Sequence, residues 1–303
     1  MARAVGLAAV CAAALFALVL LAAERSTAIP VRVATDATDL PYDPNLANIM
    51  TTFSASAYCP PAQLQAWNCP SCVSNPLIKD FSVSAVITDA VLGTQVYVGT
   101  LDAIQGILVV FRGSSNIQNW IDDFYFFQTD FAYPGCPSTC RVHRGFYDSY
   151  NSTVTKGLLT ELAKLKTSHP TYTTYVTGHS LGAAQAVFAA IQLAVDYGHN
   201  VVMYNMGEPR VGNKAFSQYF GIHVPNTYRI VHYNDIVPHL PPQFNHTVEE
   251  FHHICTEYFQ DQNDANVRKC DSSCEDPTCM DSIPATHYSA EAHTVYLTIP
   301  MEC

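Results

Sequence analysis

The strongest chemical signal in this 303-residue chain is Gly178-His179-Ser180-Leu181-Gly182. The pattern G-x-S-x-G is short enough to arise by chance, so its flanks decide its weight. Tyr172–Val176 is β-branched and aromatic and reads as a strand. Leu181–Tyr197 is Ala-rich, apolar nearly all round, and reads as a buried helix that ends at Gly198. A serine between such a strand and helix sits on a tight elbow, with its hydroxyl facing a cleft at the helix N-terminus. Backbone N–H groups there can stabilise an oxyanion. The bland alternative is an ordinary glycine-rich turn.

A serine hydroxyl becomes nucleophilic through a base, and the base needs an orienting acid. With this elbow the chain order is Ser, acid, His. Asp235 follows an expected strand, Tyr228–Val231, and precedes Ile236-Val237-Pro238, which puts it at the C-terminal edge of a sheet. A turn-capping aspartate is its plainer use. For the base, pattern alone does not separate His287 from His293. His179 adjoins Ser180, but neighbouring side chains at an elbow diverge, so it reads as a packing or hydrogen-bonding residue.

The elements that would position these groups follow from periodicity. Leu46, Ile49, Met50 and Phe53 recur at helical spacing after Pro44. Phe81–Ile87 and Thr94–Thr100 alternate around Asp89–Gly93 and suggest an antiparallel pair. Gly106–Phe111 is a continuous apolar run, as in a strand buried on both faces. Ser152–Lys166 places Val154, Leu158, Leu162 and Leu165 on one helical face, and Val201–Tyr204 reads as a further strand. Asp261–Ser282, rich in Cys, Asp and Asn, reads as a long surface loop. This order predicts a single α/β domain, a mainly parallel sheet flanked by helices.

Composition removes whole classes of function. With 15 Lys+Arg against 26 Asp+Glu the net charge is −11, which argues against nucleic-acid binding. At 49% hydrophobic and 14% charged residues the chain is neither disordered nor a coiled coil. Arg3 precedes an uncharged stretch from Val5 to Ala23, then Glu24-Arg25 and Ser26-Thr27-Ala28. Residues 1–28 thus read as a signal peptide, cleaved after Ala23 or Ala28, with 29–303 as the domain; a retained anchor is the rival. The expected product is secreted and monomeric, without an integral membrane span. Ten cysteines lie beyond Cys11, and in an oxidising compartment they read as up to five disulfides instead of a zinc site. Asn151 and Asn245 are candidate glycosylation sites. No metal or cofactor is expected.

Six ordered motifs narrow the reading: Phe111–Ser115, Asn119-Trp120, His143–Phe146, Thr177–Gly182, Gly207–Gly212 and Asn234–Pro242. Together they resemble the fungal-type class 3 triacylglycerol lipases of the α/β-hydrolase superfamily, from about Tyr42 to Cys303. That resemblance implies a secreted serine carboxylester hydrolase acting on lipid at interfaces. It selects His293, since His293-Thr-Val-Tyr296 followed by a large apolar residue and a terminal Cys matches the family pattern. Leu297 and Thr298 depart from it, standing where Phe and Gly are usual. The resemblance also assigns the oxyanion hole to the N–H groups of Leu181 and Ser114. It makes a lid of the amphipathic segment carrying Ile117, Trp120, Ile121 and Phe124. Finally it implies the pairs Cys59–Cys303, Cys69–Cys72 and Cys270–Cys279, with Cys136–Cys140 found in some members; Cys255 and Cys274 remain for each other. A feruloyl-type or other soluble-ester esterase, a phospholipase A1 and a non-catalytic binding protein on the same scaffold are the alternatives.

Overall fold

Eight strands form the central sheet of a computed structural model that describes residues 40–122, 125–243, 250–263 and 266–303. The described residues belong to the unit Ala37–Cys303. The expected signal peptide (1–28), Phe124 of the expected lid and Asn245 lie outside them.

In chain order the strands are β1 (Ser82–Asp89), β2 (Thr94–Leu101), β3 (Gly106–Phe111), β4 (Thr173–His179), β5 (Val201–Met206), β6 (Thr227–His232), β7 (Glu257–Gln260) and β8 (Val267–Lys269). Their spatial order is the same. β1–β2 and β2–β3 pair antiparallel, β3 to β7 run parallel, and β8 closes the edge antiparallel. Every residue of β3 is buried, as its unbroken apolar run requires. Its side chains alternate between two cores. Ile107, Val109 and Phe111 join one, while Leu108 and Val110 join the other.

Helix α1 (Pro44–Ser56) packs on the second face through Met50 and Phe53. Asp43 caps it, its Oδ1 accepting the N–H of Asn45 at 2.8 Å, and proline occupies the first turn. Helices α2 (Arg144–Thr155), α3 (Leu158–Ser168) and α4 (Leu181–Tyr197) cover the first face. The single helical face expected over Ser152–Lys166 is therefore split. Gly157 takes φ 103° between α2 and α3, a conformation that ends one helix and starts another. The apolar stripe still reads continuously, since both helices bury it in the same core.

The Cys-rich stretch is less of a loop than its composition suggests. It supplies β8, which pairs Val267, Arg268 and Lys269 with Gln260, Phe259 and Tyr258. Among the described residues five disulfides join Cys59–Cys303, Cys69–Cys72, Cys136–Cys140, Cys255–Cys274 and Cys270–Cys279. Among the described residues no helix is long and apolar enough to cross a membrane.

Candidate active site

Ser180 occupies the junction of β4 and α4 with φ 59° and ψ −130°, a strained conformation for a residue with a side chain. Close packing imposes it. A Cβ on Gly178 would lie 2.4 Å from the carbonyl carbon of Gly182, and one on Gly182 would lie 2.4 Å from Phe111 O. Only glycines let the elbow fold on itself and seat α4 against the end of β3.

Asp235 and His293 are both fully buried, and Nδ1 of His293 lies 2.6 Å from Oδ2 of Asp235. The carboxylate accepts there, so the ring carries its proton on Nδ1 and leaves Nε2 unprotonated. The other oxygen of Asp235 accepts the N–H of Val237 at 2.8 Å, and the Tyr296 hydroxyl donates to Oδ2. Ser180 Oγ and His293 Nε2 are both buried and have no hydrogen-bond partner. Both residues touch the segment Met206-Gly207. The N–H of Ser180 donates to Met206 O at 3.1 Å, and a Cβ on the next residue, Gly207, would lie 2.7 Å from His293 Cε1.

Several groups hold the backbone around this ring, and the first is His179, read from the sequence as a packing or hydrogen-bonding residue. His179 Nε2 lies 2.9 Å from the carbonyl of His293, so it donates. Its Nδ1 then accepts from the Tyr58 hydroxyl at 2.6 Å. Burial, reinforced by the nearby His293, pushes the His179 pKa well below the ordinary histidine value, which keeps this link neutral. The loops that carry Asp235 and His293 are stitched together. Ser289 donates its N–H to Asn234 O at 2.9 Å, and His232 Nδ1 lies 2.8 Å from Ala292 O. Downstream of Asp235, Arg210 Nη1 donates to the carbonyls of His239 and Pro241, while its Nε and Nη2 grip Glu275 at 2.9 and 2.8 Å. His287, the other candidate base, is exposed.

Leu181 begins α4, where the first N–H groups of a helix lack intrahelical acceptors. Ser114 follows β3 and is partly exposed. The residue before it, Gly113, runs against Ser180; a Cβ there would meet Ser180 Cβ at 3.1 Å.

The expected lid is helical over its described residues. The helix spans Ile117–Asp122, and none of its residues is buried. Of its apolar face, Trp120 packs on the core and stacks on Phe146, with ring centroids 6.2 Å apart. Ile117 and Ile121 stay half-exposed. Beyond it Tyr125, Phe126 and Phe127 form an exposed aromatic run that periodicity did not reveal. His143 fastens this strap. Its Nδ1 accepts the N–H of Phe146 at 3.3 Å, so Nε2 donates to Tyr125 O at 2.7 Å. Trp120, Tyr125, Phe127, Phe146 and Leu181 line a cleft of about 630 Å³ beside the elbow. The candidate glycosylation site Asn151 lies partly buried within α2.

A strained serine at the C-terminal end of a parallel strand, served by loops from the same sheet edge, defines an α/β-hydrolase fold. Residues 108–245 match the family model described as Lipase (class 3). The chain is 35% identical over 241 residues to a lipase of Rhizomucor miehei, covering 77% of this chain and 63% of that protein. To the secreted mono- and diacylglycerol lipase 1 of Fusarium solani it is 36% identical over 219 residues, covering 68% and 60%. A solved Rhizomucor miehei triacylglyceride lipase superposes with a TM-score of 0.76 at 34% identity, covering 85% of this chain and 95% of that one. The chain belongs to the class 3 lipase family. It spans just under two thirds of the two curated relatives' lengths.

Proposed function

We propose that this protein is a secreted serine carboxylester hydrolase that cleaves acylglycerols at lipid–water interfaces. One observation carries the reading. Asp235 and His293 form a buried pair 2.6 Å apart, and the second nitrogen of that ring and the buried Ser180 hydroxyl both lack a hydrogen-bond partner. Two buried polar atoms without partners are costly in a structural core, and a transferable proton explains why both are kept.

In this mechanism Ser180 Oγ attacks the ester carbonyl and its proton passes to His293 Nε2. Asp235 holds the ring's tautomer and stabilises the imidazolium. The N–H groups of Leu181 and Ser114 receive the oxyanion; losing one such donor costs about 3–4 kcal/mol of barrier. The imidazolium protonates the leaving alcohol; His293 then takes a proton from water as it attacks the acyl-enzyme, and returns it to Ser180 Oγ as the acyl–Oγ bond breaks and the acid leaves. The Trp120-bearing helix and the aromatic strap would cover this site in water and expose apolar surface at lipid. The relatives named as lipases support that substrate class.

Ser180→Ala is expected to keep the fold and lose several orders of magnitude of turnover. Near-normal hydrolysis by that variant removes Ser180 from the mechanism. Rates on a long-chain triacylglycerol emulsion against a short soluble ester test the interfacial part. A lipase gains rate above the ester's aggregation point, and an absence of gain sinks the lid's role.

A further inference from the structure

The hairpin between β1 and β2 ends in Ala90-Val91-Leu92-Gly93, four consecutive exposed residues without a charge. Val91 is 91% exposed and Leu92 50%. Two adjacent exposed apolar side chains at one tip form a small patch open to an apolar surface. The tip is also held in shape. Asp89 Oδ1 accepts the N–H of Val91 at 2.9 Å and that of Leu92 at 3.4 Å. Arg112 Nη2 donates to Gly93 O at 2.5 Å, which ties the tip to the segment leading into Gly113 and Ser114.

Register fixes where the tip sits. Phe111, the last residue of β3, pairs with Gly178 of β4 and with Val96 of β2. Thr94 and the tip before it therefore project from the sheet edge that presents Ser180. Tyr125 and Phe127, 70% and 68% exposed, flank the cleft lined by Leu181, the residue after Ser180.

We propose that the Val91–Leu92 tip is a lipid-surface anchor, a fixed second point of attachment besides the strap. The occupant is an uncharged or zwitterionic lipid surface, since a chain of net charge −11 is repelled by an anionic one. The rigid tip orients the sheet edge toward the lipid, whereas the strap is the part that must move. This deepens the proposed function and rests on it for the identity of the edge that faces the substrate.

The test uses the full chain with Ser180→Ala, so that binding is read without hydrolysis, and phosphatidylcholine vesicles in a flotation assay. Burying two aliphatic side chains strengthens partition by more than about ten-fold, and V91D/L92D is expected to lose that factor. The milder V91S/L92S, which keeps the turn, should show a smaller loss in the same direction. On the Ser180 background, both pairs should hydrolyse a short soluble ester within about two-fold of the unsubstituted chain, a ratio outside the range of transition-state effects. Unchanged vesicle partition in both pairs overturns the anchor, including when the tip instead serves a protein partner. Failure of the ester hydrolase reading shows separately, as an absence of soluble-ester turnover in the unsubstituted chain.

Discussion

Gly207 packs directly on the ring of His293. At φ +58° its place for a side chain is already filled, with His293 Cε1 and the Tyr296 hydroxyl each 2.7 Å from a Cβ built there. The glycine is what lets β5 end against the imidazole that Asp235 orients.

Gly207→Ala should therefore push the ring away from Ser180. A displacement near 1 Å in a catalytic group costs on the order of 100-fold, so kcat/KM on a soluble ester should fall by about that factor. Circular dichroism should still report a folded chain. Wild-type turnover in this variant contradicts the placement of His293.

Glu208, next in the chain, is fully buried. Its Oε2 accepts the N–H of Asn205 Nδ2 at 2.7 Å, while Oε1 and Asn205 Oδ1 have no partner. Burial pushes its carboxyl up to about 7, opposed by the charge of Arg229. Because the folded value lies above the ordinary one, the contribution to stability is full below about pH 4.5 and is lost as pH rises through 7. Glu208→Gln should thus be more stable than wild type at pH 8, by up to about 3 kcal/mol, and gain far less at pH 5. Urea unfolding at the two pH values reads this. An equal effect at both means that Glu208 stays ionised.

His143 behaves in the opposite sense. Burial lowers its pKa to about 4, and only the neutral ring accepts from the Phe146 N–H while donating to Tyr125 O. A depressed folded value makes the stabilisation complete above about pH 6.5 and removes it as pH falls through 4. His143→Phe should flatten the loss of stability between pH 7 and pH 4. His199 and His239 are lowered to about 4 as well, so part of that loss persists. Identical pH profiles for variant and wild type would falsify the strap-fastening role.

Leu297 and Thr298 form the two-residue turn between Val295-Tyr296 and Ile299-Pro300, with φ 50° and 67°. Such turns favour Asn and Gly, and a β-branched residue with positive φ is strained. Thr298→Gly should stabilise the fold by about 1 kcal/mol, or roughly 2–4 °C in Tm. A fall in Tm would show that the turn carries no relievable strain.

Local signals explain what was legible in the amino-acid sequence. The elbow could be read because a strand, two glycines and an Ala-rich helix are neighbours in the chain, and each reports its own backbone preference. β3 was legible for the same reason, as an apolar run is buried on both faces wherever it is placed. Asp235 followed from chain order. The break at Gly157 was missed because two helices burying one stripe keep a single period. The Tyr125–Phe127 run escaped because an exposed strap has no period at all.

The choice of His293 over His287 lies beyond local pattern. Both are histidines near the C-terminus, and the sequence alone left them equivalent until the wider motif was weighed. The tertiary structure separates them through contacts between distant segments. Ser289 bonds to Asn234, His179 and His232 hold the carbonyls of His293 and Ala292, and Cys303 is tied to Cys59 across 244 positions. Residue types and short-range periodicity thus determined most of the elements and the elbow that carries Ser180. Which ring meets the carboxylate was decided by packing, because it depends on where separate loops end up relative to one another.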